Sequence, residues 1–229
     1  MIEVDKVSKG FARKKVLRDV SFTVEKGQIV CLIGLNGAGK STMLKAIMGL
    51  TPIRSGRILV DGKKPDRRLY EQISYVPDHL TMPPSMRAVD ALTFMEDFYP
   101  NWNAAKASEL MSFFGLDFKE RIGNLSKGTA AKLNLVLGLA LDSDYILMDE
   151  PFSGIDLFSR ERIAELFSGD MIDGRGVLLT THEVGDIEHL IDKAVILNKG
   201  VVARSFDCDR VREEEGKSVV DMMREVLQA

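Results

Sequence analysis

Residues 34–42 read Gly-Leu-Asn-Gly-Ala-Gly-Lys-Ser-Thr, between an apolar run at 29–33 and a segment whose apolar residues recur at helical spacing. This is the pattern GxxxxGK[ST] between a strand and a helix, in which glycines let backbone N–H groups turn around phosphates. The lysine of such a loop reaches terminal phosphates, and the hydroxyl after it holds Mg²⁺. The residues predicted to bind phosphate are Gly34, Asn36, Gly37, Ala38, Gly39, Lys40, Ser41 and Thr42.

Length and composition restrict the class of protein. The chain has 229 residues, enough for one substantial domain, and its net charge of −3 argues against nucleic acid as the main partner. Its apolar runs fall short of the roughly 20 residues of a membrane helix, and its charged first ten residues lack a signal-peptide pattern. The cysteines, Cys31 and Cys208, occupy unrelated positions, so neither a disulfide scaffold nor a zinc site is expected. We expect an intracellular globular protein.

The distribution of residue types predicts an α/β fold in one domain, residues 1–229. Residues 1–78 are rich in short β-branched runs, whereas Met, Leu, Ala and Phe at helical spacing dominate residues 79–141. From residue 142 strand and helix alternate, which favours a mostly parallel, helix-flanked sheet. We predict a P-loop NTPase core (1–78 and 142–229) with an N-terminal antiparallel β subdomain and an inserted helical subdomain (79–141). Within the core, 157–167 and 184–190 are predicted helices.

A second candidate site follows the apolar run at 145–148, where two acids, Asp149 and Glu150, end a predicted strand. Beside a phosphate loop, the first acid would help to order Mg²⁺, and the second would polarise an attacking water. The alternative is an acidic turn at the end of a strand. The phosphate loop upstream favours the catalytic interpretation.

A third motif, Leu-Ser-Lys-Gly-Thr at 125–129, opens a predicted helix, and by itself it would be explained as an N-capped helix. Its order and spacing change that interpretation. Five motifs follow one another along the chain: the phosphate loop, LSKGT, the Asp149–Glu150 pair, Ser-Gly-Ile-Asp at 153–156 and Thr-Thr-His at 180–182. Their order and spacing are those of the ATP-binding cassette family, which the sequence resembles over essentially its whole length.

That resemblance implies an ATPase that uses ATP and Mg²⁺. Two chains would close head to tail, with Ser126 and Gly128 touching the ATP held by the other chain's Lys40 loop. Residues 153–156 would cross between subunits, and His182 would sense the γ-phosphate. Phe11 lies where the family stacks an aromatic ring on adenine, although a core aromatic is the alternative.

The sequence departs from the family pattern at two motifs. Lys127-Gly128-Thr129 stands where the family usually has Gly-Gly-Gln, and Asp78 replaces the usual glutamine of a flexible loop. Asp78 would reach the metal through a water, or it is only a turn residue after Pro77.

The family resemblance also implies partners. A separate membrane permease would dock in a groove beside residues 78–84 and the helical subdomain, against Met82, Met86 and Phe94, and hold the chain at the cytoplasmic face of the membrane. The second ATPase subunit would be an identical or a related chain. The segment Phe-Tyr-Pro-Asn-Trp at 98–102, together with LSKGT, resembles a bacterial branch encoded beside GntR-type regulators, which suggests export.

Two other classes of protein are disfavoured by the sequence. A cassette ATPase acting on DNA or ribosomes would be expected to carry a coiled-coil insertion or a second cassette, and this sequence has neither. A GTPase switch would need Asn-Lys-x-Asp, but Asn198-Lys199 continues as Gly-Val.

Overall fold

Two β-sheets organise the computed structural model, which describes residues 1–12, 14–66, 68–167, 172 and 174–228. Three strands form an antiparallel sheet in the order β2-β1-β4. These strands are β1 (Ile2–Phe11), β2 (Lys14–Val24) and β4 (Ser55–Val60). The predicted antiparallel β subdomain is therefore confirmed.

The second sheet has six strands in the order β5-β6-β7-β3-β8-β9, of which the first five run parallel and β9 runs antiparallel to β8. Since β6, β7 and β3 are neighbours, the loops that follow them meet at one edge of the sheet. The strands are β3 (Ile29–Ile33), β5 (Ile73–Val76), β6 (Tyr145–Asp149), β7 (Gly176–Thr181), β8 (Lys193–Asn198) and β9 (Val201–Asp207).

Eight α-helices lie in the described part of the chain. They are α1 (Lys40–Ile47), α2 (Leu69–Gln72), α3 (Ala88–Phe98), α4 (Ala104–Phe114), α5 (Lys127–Leu139), α6 (Leu157–Phe167), α7 (Cys208–Glu215) and α8 (Val219–Gln228). The helix predicted at 157–167 is confirmed. The helix predicted at 184–190 is wrong, because the segment forms turns and only a short 3-10 helix, Glu188–Leu190.

The large sheet separates two apolar cores. Side chains of β3 alternate between them: Val30 and Leu32 pack with α1 and the antiparallel sheet, whereas Cys31 and Ile33 pack with α5 and the other helices of the opposite face. Every residue of β6 and β7 is buried, so their sequences read as continuous apolar runs and not as alternating patterns. The predicted α/β P-loop fold is confirmed.

Helices α3, α4 and α5 lie within residues 79–141, and Arg175 ties the last of them to the core. Its guanidinium donates to the carbonyl oxygens of Leu139 (3.3 Å), Leu141 (2.7 Å) and Ser143 (2.7 Å). Burial lowers the pKa of Arg175 to about 10.

None of the helices in the described ranges combines the length and apolar character needed to cross a membrane.

Candidate nucleotide site

The loop between β3 and α1 requires glycine at three positions. A Cβ on Gly34 would lie 2.4 Å from the carbonyl oxygen of Leu197, so the backbone there has no room for a side chain. Gly37 and Gly39 have φ of 82° and 112°, in the left-handed region that other residues rarely adopt. No side chain caps α1 at Gly39. The positive end of α1 therefore points into the loop, as an anion site requires.

This loop forms one wall of a cavity of about 460 Å³, within the usual size range of small-molecule sites. Most of the predicted phosphate-binding residues line it, together with three predicted residues from elsewhere, Phe11, Asp78 and Glu150. Gly34 and Ala38 do not line it. The lining residues are Phe11, Lys14, Val16, Asn36, Gly37, Gly39, Lys40, Ser41, Thr42, Asp78 and Glu150.

Lys40 and Glu150 meet at the floor of the cavity. The Lys40 side chain is only 5% exposed, and its Nζ donates to the carbonyl oxygen of Gly34 at 2.7 Å. The same Nζ lies 3.1 Å from Glu150 Oε1. The Glu150 carboxylate and a terminal phosphate of ATP would therefore compete for the Lys40 ammonium group.

The other oxygen of Glu150 contacts His182, so three predicted catalytic residues form one cluster. His182 Nδ1 lies 2.9 Å from Glu150 Oε2. The backbone of Glu150 has φ of 49°, and its amide donates to the carbonyl oxygen and to Oγ1 of Thr180, at 3.1 and 3.0 Å. Thr180 thus fixes a backbone conformation that a non-glycine residue rarely adopts.

Asp149 lies beside this cluster and is fully buried. Its Oδ1 accepts from Ser41 Oγ at 3.0 Å and from Thr180 Oγ1 at 2.7 Å, whereas its Oδ2 is buried without a hydrogen-bond partner in the described part of the chain. A buried carboxylate oxygen with no donor, next to a serine hydroxyl, is the oxygen-rich environment that Mg²⁺ prefers. Ser41 and Asp149 therefore fit a magnesium ion. No sequence motif predicts a positioning role for Thr180.

Phe11 and Asp78 lie on the walls of the cavity. Phe11 is 51% exposed, which excludes the alternative of a core aromatic, and Lys9 Nζ lies 4.6 Å from the centre of its ring. Asp78 follows β5, and its Oδ1 lies 2.6 Å from His79 Nδ1. The carbonyl oxygen of Pro77, one residue before, accepts from the side chain of Asn134 at 2.6 Å, which ties this loop to α5.

Ser126 and Gly128 do not line this cavity. Ser126 caps α5, because its Oγ accepts from the Thr129 amide at 3.1 Å. Gly128 packs against residue 154 of the same chain, where a Cβ would lie 3.1 Å from the Gly154 carbonyl oxygen. The two groups of predicted ATP-binding residues are therefore not brought together within one chain.

Comparisons with known proteins agree with this geometry. A family model described as ABC transporter matches residues 17–153. The chain is 32% identical to the ABC transporter ATP-binding protein YtrB of Bacillus subtilis, over 93% of this chain and 74% of that protein. It is 30% identical to the lipopolysaccharide export system ATP-binding protein LptB of Haemophilus influenzae, over 94% of both. A solved ATP-binding subunit of an ABC transporter matches with a TM-score of 0.88 at 30% identity, over 99% of both chains. The phosphate loop and its acids thus belong to an ABC ATPase, and the chain is a member of the ABC transporter family.

Proposed function

We propose that this ABC ATPase is the energy-supplying subunit of a membrane exporter whose transport path is a separate permease. The observation that supports ATP hydrolysis most strongly is the cluster of Lys40, Glu150 and His182 beside the buried Asp149. The LptB relative is named for an export system. The segment at 98–102 supports the GntR-associated branch, which a reading of the neighbouring genes tests.

Each residue of the cluster has a defined task in hydrolysis. Lys40 exchanges Glu150 for the terminal phosphates of ATP, and the freed carboxylate orients water and accepts its proton. His182 holds the region of the γ-phosphate. Ser41 and Asp149, with Asp78 nearby, would hold Mg²⁺, which would neutralise charge that develops on the phosphates. Phe11 stacks on adenine.

A complete ATP site contains two chains. The phosphate loop of one chain supplies Lys40, and the start of α5 in a second copy or a related chain supplies Ser126 and Gly128. The Ser126 side chain lies at a helix N-terminus, where backbone amides and the helix dipole favour an anion. Since Ser126 lies outside its own chain's cavity, the phosphate that it binds belongs to the partner's ATP.

Two variants test the shared site. Lys40→Ala should lose ATP binding by the single chain. Ser126→Arg should retain that binding and lose hydrolysis, because a large cation at this position blocks closure of the dimer and leaves the chain's own phosphate loop intact. Ser112→Arg, at an exposed position on α4, is the matched control and should behave as wild type. Loss of single-chain ATP binding in Ser126→Arg would contradict the shared site.

We propose that the permease docks in a second cavity, of about 570 Å³, between the large sheet and the helical subdomain. The predicted Met82, Met86 and Phe94 all line it, as does Tyr75. Its mostly apolar wall suits a short amphipathic helix laid into a groove. Docking there holds the chain at the cytoplasmic face of the membrane.

A charge substitution tests the groove. Phe94→Asp should release the chain from the membrane fraction of cells that carry its permease, while the ATPase rate of the purified chain stays at the wild-type level. Phe118→Asp is the control, because Phe118 is equally exposed, at 36%, and does not line the groove. Equal release by both variants would contradict docking in this groove.

A further inference from the structure

Lys127, one of the residues that depart from the family pattern, lies across Gly154 of the same chain. A Cβ built on Gly154 would lie 2.8 Å from Lys127 Cδ and 2.9 Å from Cε, closer than carbon atoms approach without displacement. Gly154 also has φ of 78°. The lysine stem therefore occupies the space that any side chain at residue 154 would need.

A second contact lies beside the first. The Gly154 carbonyl oxygen is 3.1 Å from the position of a Cβ on Gly128, so the first turn of α5 packs closely on residues 153–156. The Lys127 ammonium adds a 3.4 Å hydrogen bond to Ser153 Oγ. That bond is long and exposed and contributes little, so the packing of the stem holds the two segments together.

Helix stability does not explain a lysine at this position. Lys127 is the first residue of α5, where the positive end of the helix dipole disfavours a cation. The first turn of α5 also contains no acidic residue that would offset this charge. The contact with Gly154 is thus the favourable interaction that offsets the unfavourable position of this charge.

The loop at 153–156 connects on its other side to the chain's own catalytic cluster. The Ser153 amide donates to the Glu150 carbonyl oxygen at 3.0 Å, and the Glu150 side chain pairs with Lys40. Contacts therefore run without a break from Lys40 through Glu150 and Ser153 to Lys127. Lys127 is adjacent to Ser126, which faces the partner's ATP in the shared site.

We infer that Lys127 is a positioning residue that couples the two ATP sites of the dimer. This inference rests on the shared site proposed above. When Glu150 exchanges Lys40 for water and phosphate, its amide stays on Thr180, but the turn closed by the Ser153 amide on its carbonyl oxygen adjusts, and the Lys127 stem passes that movement to the start of α5. The state of the ATP bound to a chain's phosphate loop then affects how firmly the start of α5 in that chain binds the partner's ATP.

The dependence of ATPase rate on ATP concentration tests this coupling in the full-length chain. We expect wild type to show a Hill coefficient approaching the number of coupled sites, about 2, and Lys127→Ala to fall to about 1. Lys127→Met keeps the stem and loses the charge, so it should retain the wild-type coefficient. Gly154→Ala, which pushes the stem away, should behave as Lys127→Ala. Lys119→Ala, at an exposed lysine of the helical subdomain, is the control for loss of one charge.

Single-chain ATP affinity, measured with a fluorescent ATP analogue at chain concentrations below dimerisation, should be unchanged in Lys127→Ala. A wild-type Hill coefficient in Lys127→Ala, with or without a lower melting temperature, would overturn the coupling role. A Lys127→Met variant as uncooperative as Lys127→Ala would overturn the role of the stem. A wild type that forms no ATP-dependent dimer and shows a coefficient of about 1 would overturn the shared site itself, which distinguishes the two failures.

Discussion

Thr180 Oγ1 donates to Asp149 Oδ1 at 2.7 Å and accepts from the Glu150 amide at 3.0 Å. One hydroxyl therefore fixes both acids of the site, the one that fits the metal and the one assigned to water. β6 and β7 are paired so that Asp149 lies opposite Thr180, which makes this contact a consequence of strand register. It also holds Glu150 in its left-handed backbone conformation.

Thr180→Val keeps the shape of the side chain and removes both hydrogen bonds. We expect it to lower the free energy of unfolding by about 1–3 kcal/mol, because it removes two hydrogen bonds that each contribute about 0.5–1.5 kcal/mol. The activation free energy of ATP hydrolysis should rise by at least the same amount, since Asp149 and Glu150 lose their positions. Thr180→Ser, which retains the hydroxyl, should stay near wild type in calorimetry and in steady-state rates. Equal damage by both variants would show that packing, and not the hydroxyl, matters.

Phe11→Ala should weaken ATP binding by about 1–3 kcal/mol, the usual size of a base–aromatic contact. GTP should lose a similar amount, because stacking uses the ring face and not the hydrogen-bonding edge. Titration calorimetry with both nucleotides measures this. Since Phe11 is half exposed, the melting temperature should hardly change. Unchanged affinity for both nucleotides would remove Phe11 from the site.

Asp78 can be separated from a simple turn residue by its effect on magnesium dependence. Asp78→Asn and Asp78→Gln should both need more Mg²⁺ for half-maximal ATPase activity, because a neutral amide attracts the hydrated ion less than a carboxylate does. The measurement is a Mg²⁺ titration at fixed ATP. Overlaying curves for wild type and both variants would exclude a metal role for Asp78.

Arg175→Met should destabilise the fold without changing nucleotide affinity. The guanidinium bonds carbonyl groups at the end of α5 and before β6, and each buried carbonyl left without a donor costs about 1–3 kcal/mol. Chemical denaturation measures the loss, and Arg224→Met, at a position 64% exposed, is the control. If the two variants are equally stable, these bonds do not support α5.

Local sequence motifs indicate which residues share a cavity where those residues are adjacent in the chain. The phosphate loop and the Asp149–Glu150 pair were recognised because strand, loop and helix follow each other within a few residues. The antiparallel sheet and helix 157–167 also followed from local patterns. The positioning role of Thr180 was missed, since it depends on which strands are neighbours in the sheet.

The helix prediction at 184–190 is wrong because its apolar spacing has a cause other than a helix. Val184, Ile187 and Leu190 recur at helical spacing, but each anchors a turn against the core. Strand β9 was not predicted, because an edge strand with half-exposed, alternating residues lacks the apolar run that marks buried strands. The contact of Lys127 with Gly154 joins segments that are distant in sequence, so no local pattern indicates it.

The most direct test of the proposed mechanism is a comparison of Glu150→Gln with wild type. The substitution removes the base and keeps the phosphate loop, so ATP should still bind while turnover falls by about 10²-fold or more. ATP should then hold the variant as a dimer in gel filtration, since closure no longer ends in hydrolysis, and Glu165→Gln, an exposed glutamate on α6, should remain as wild type. A Glu150→Gln variant that hydrolyses ATP at the wild-type rate and stays monomeric would contradict both the assigned base and the shared site.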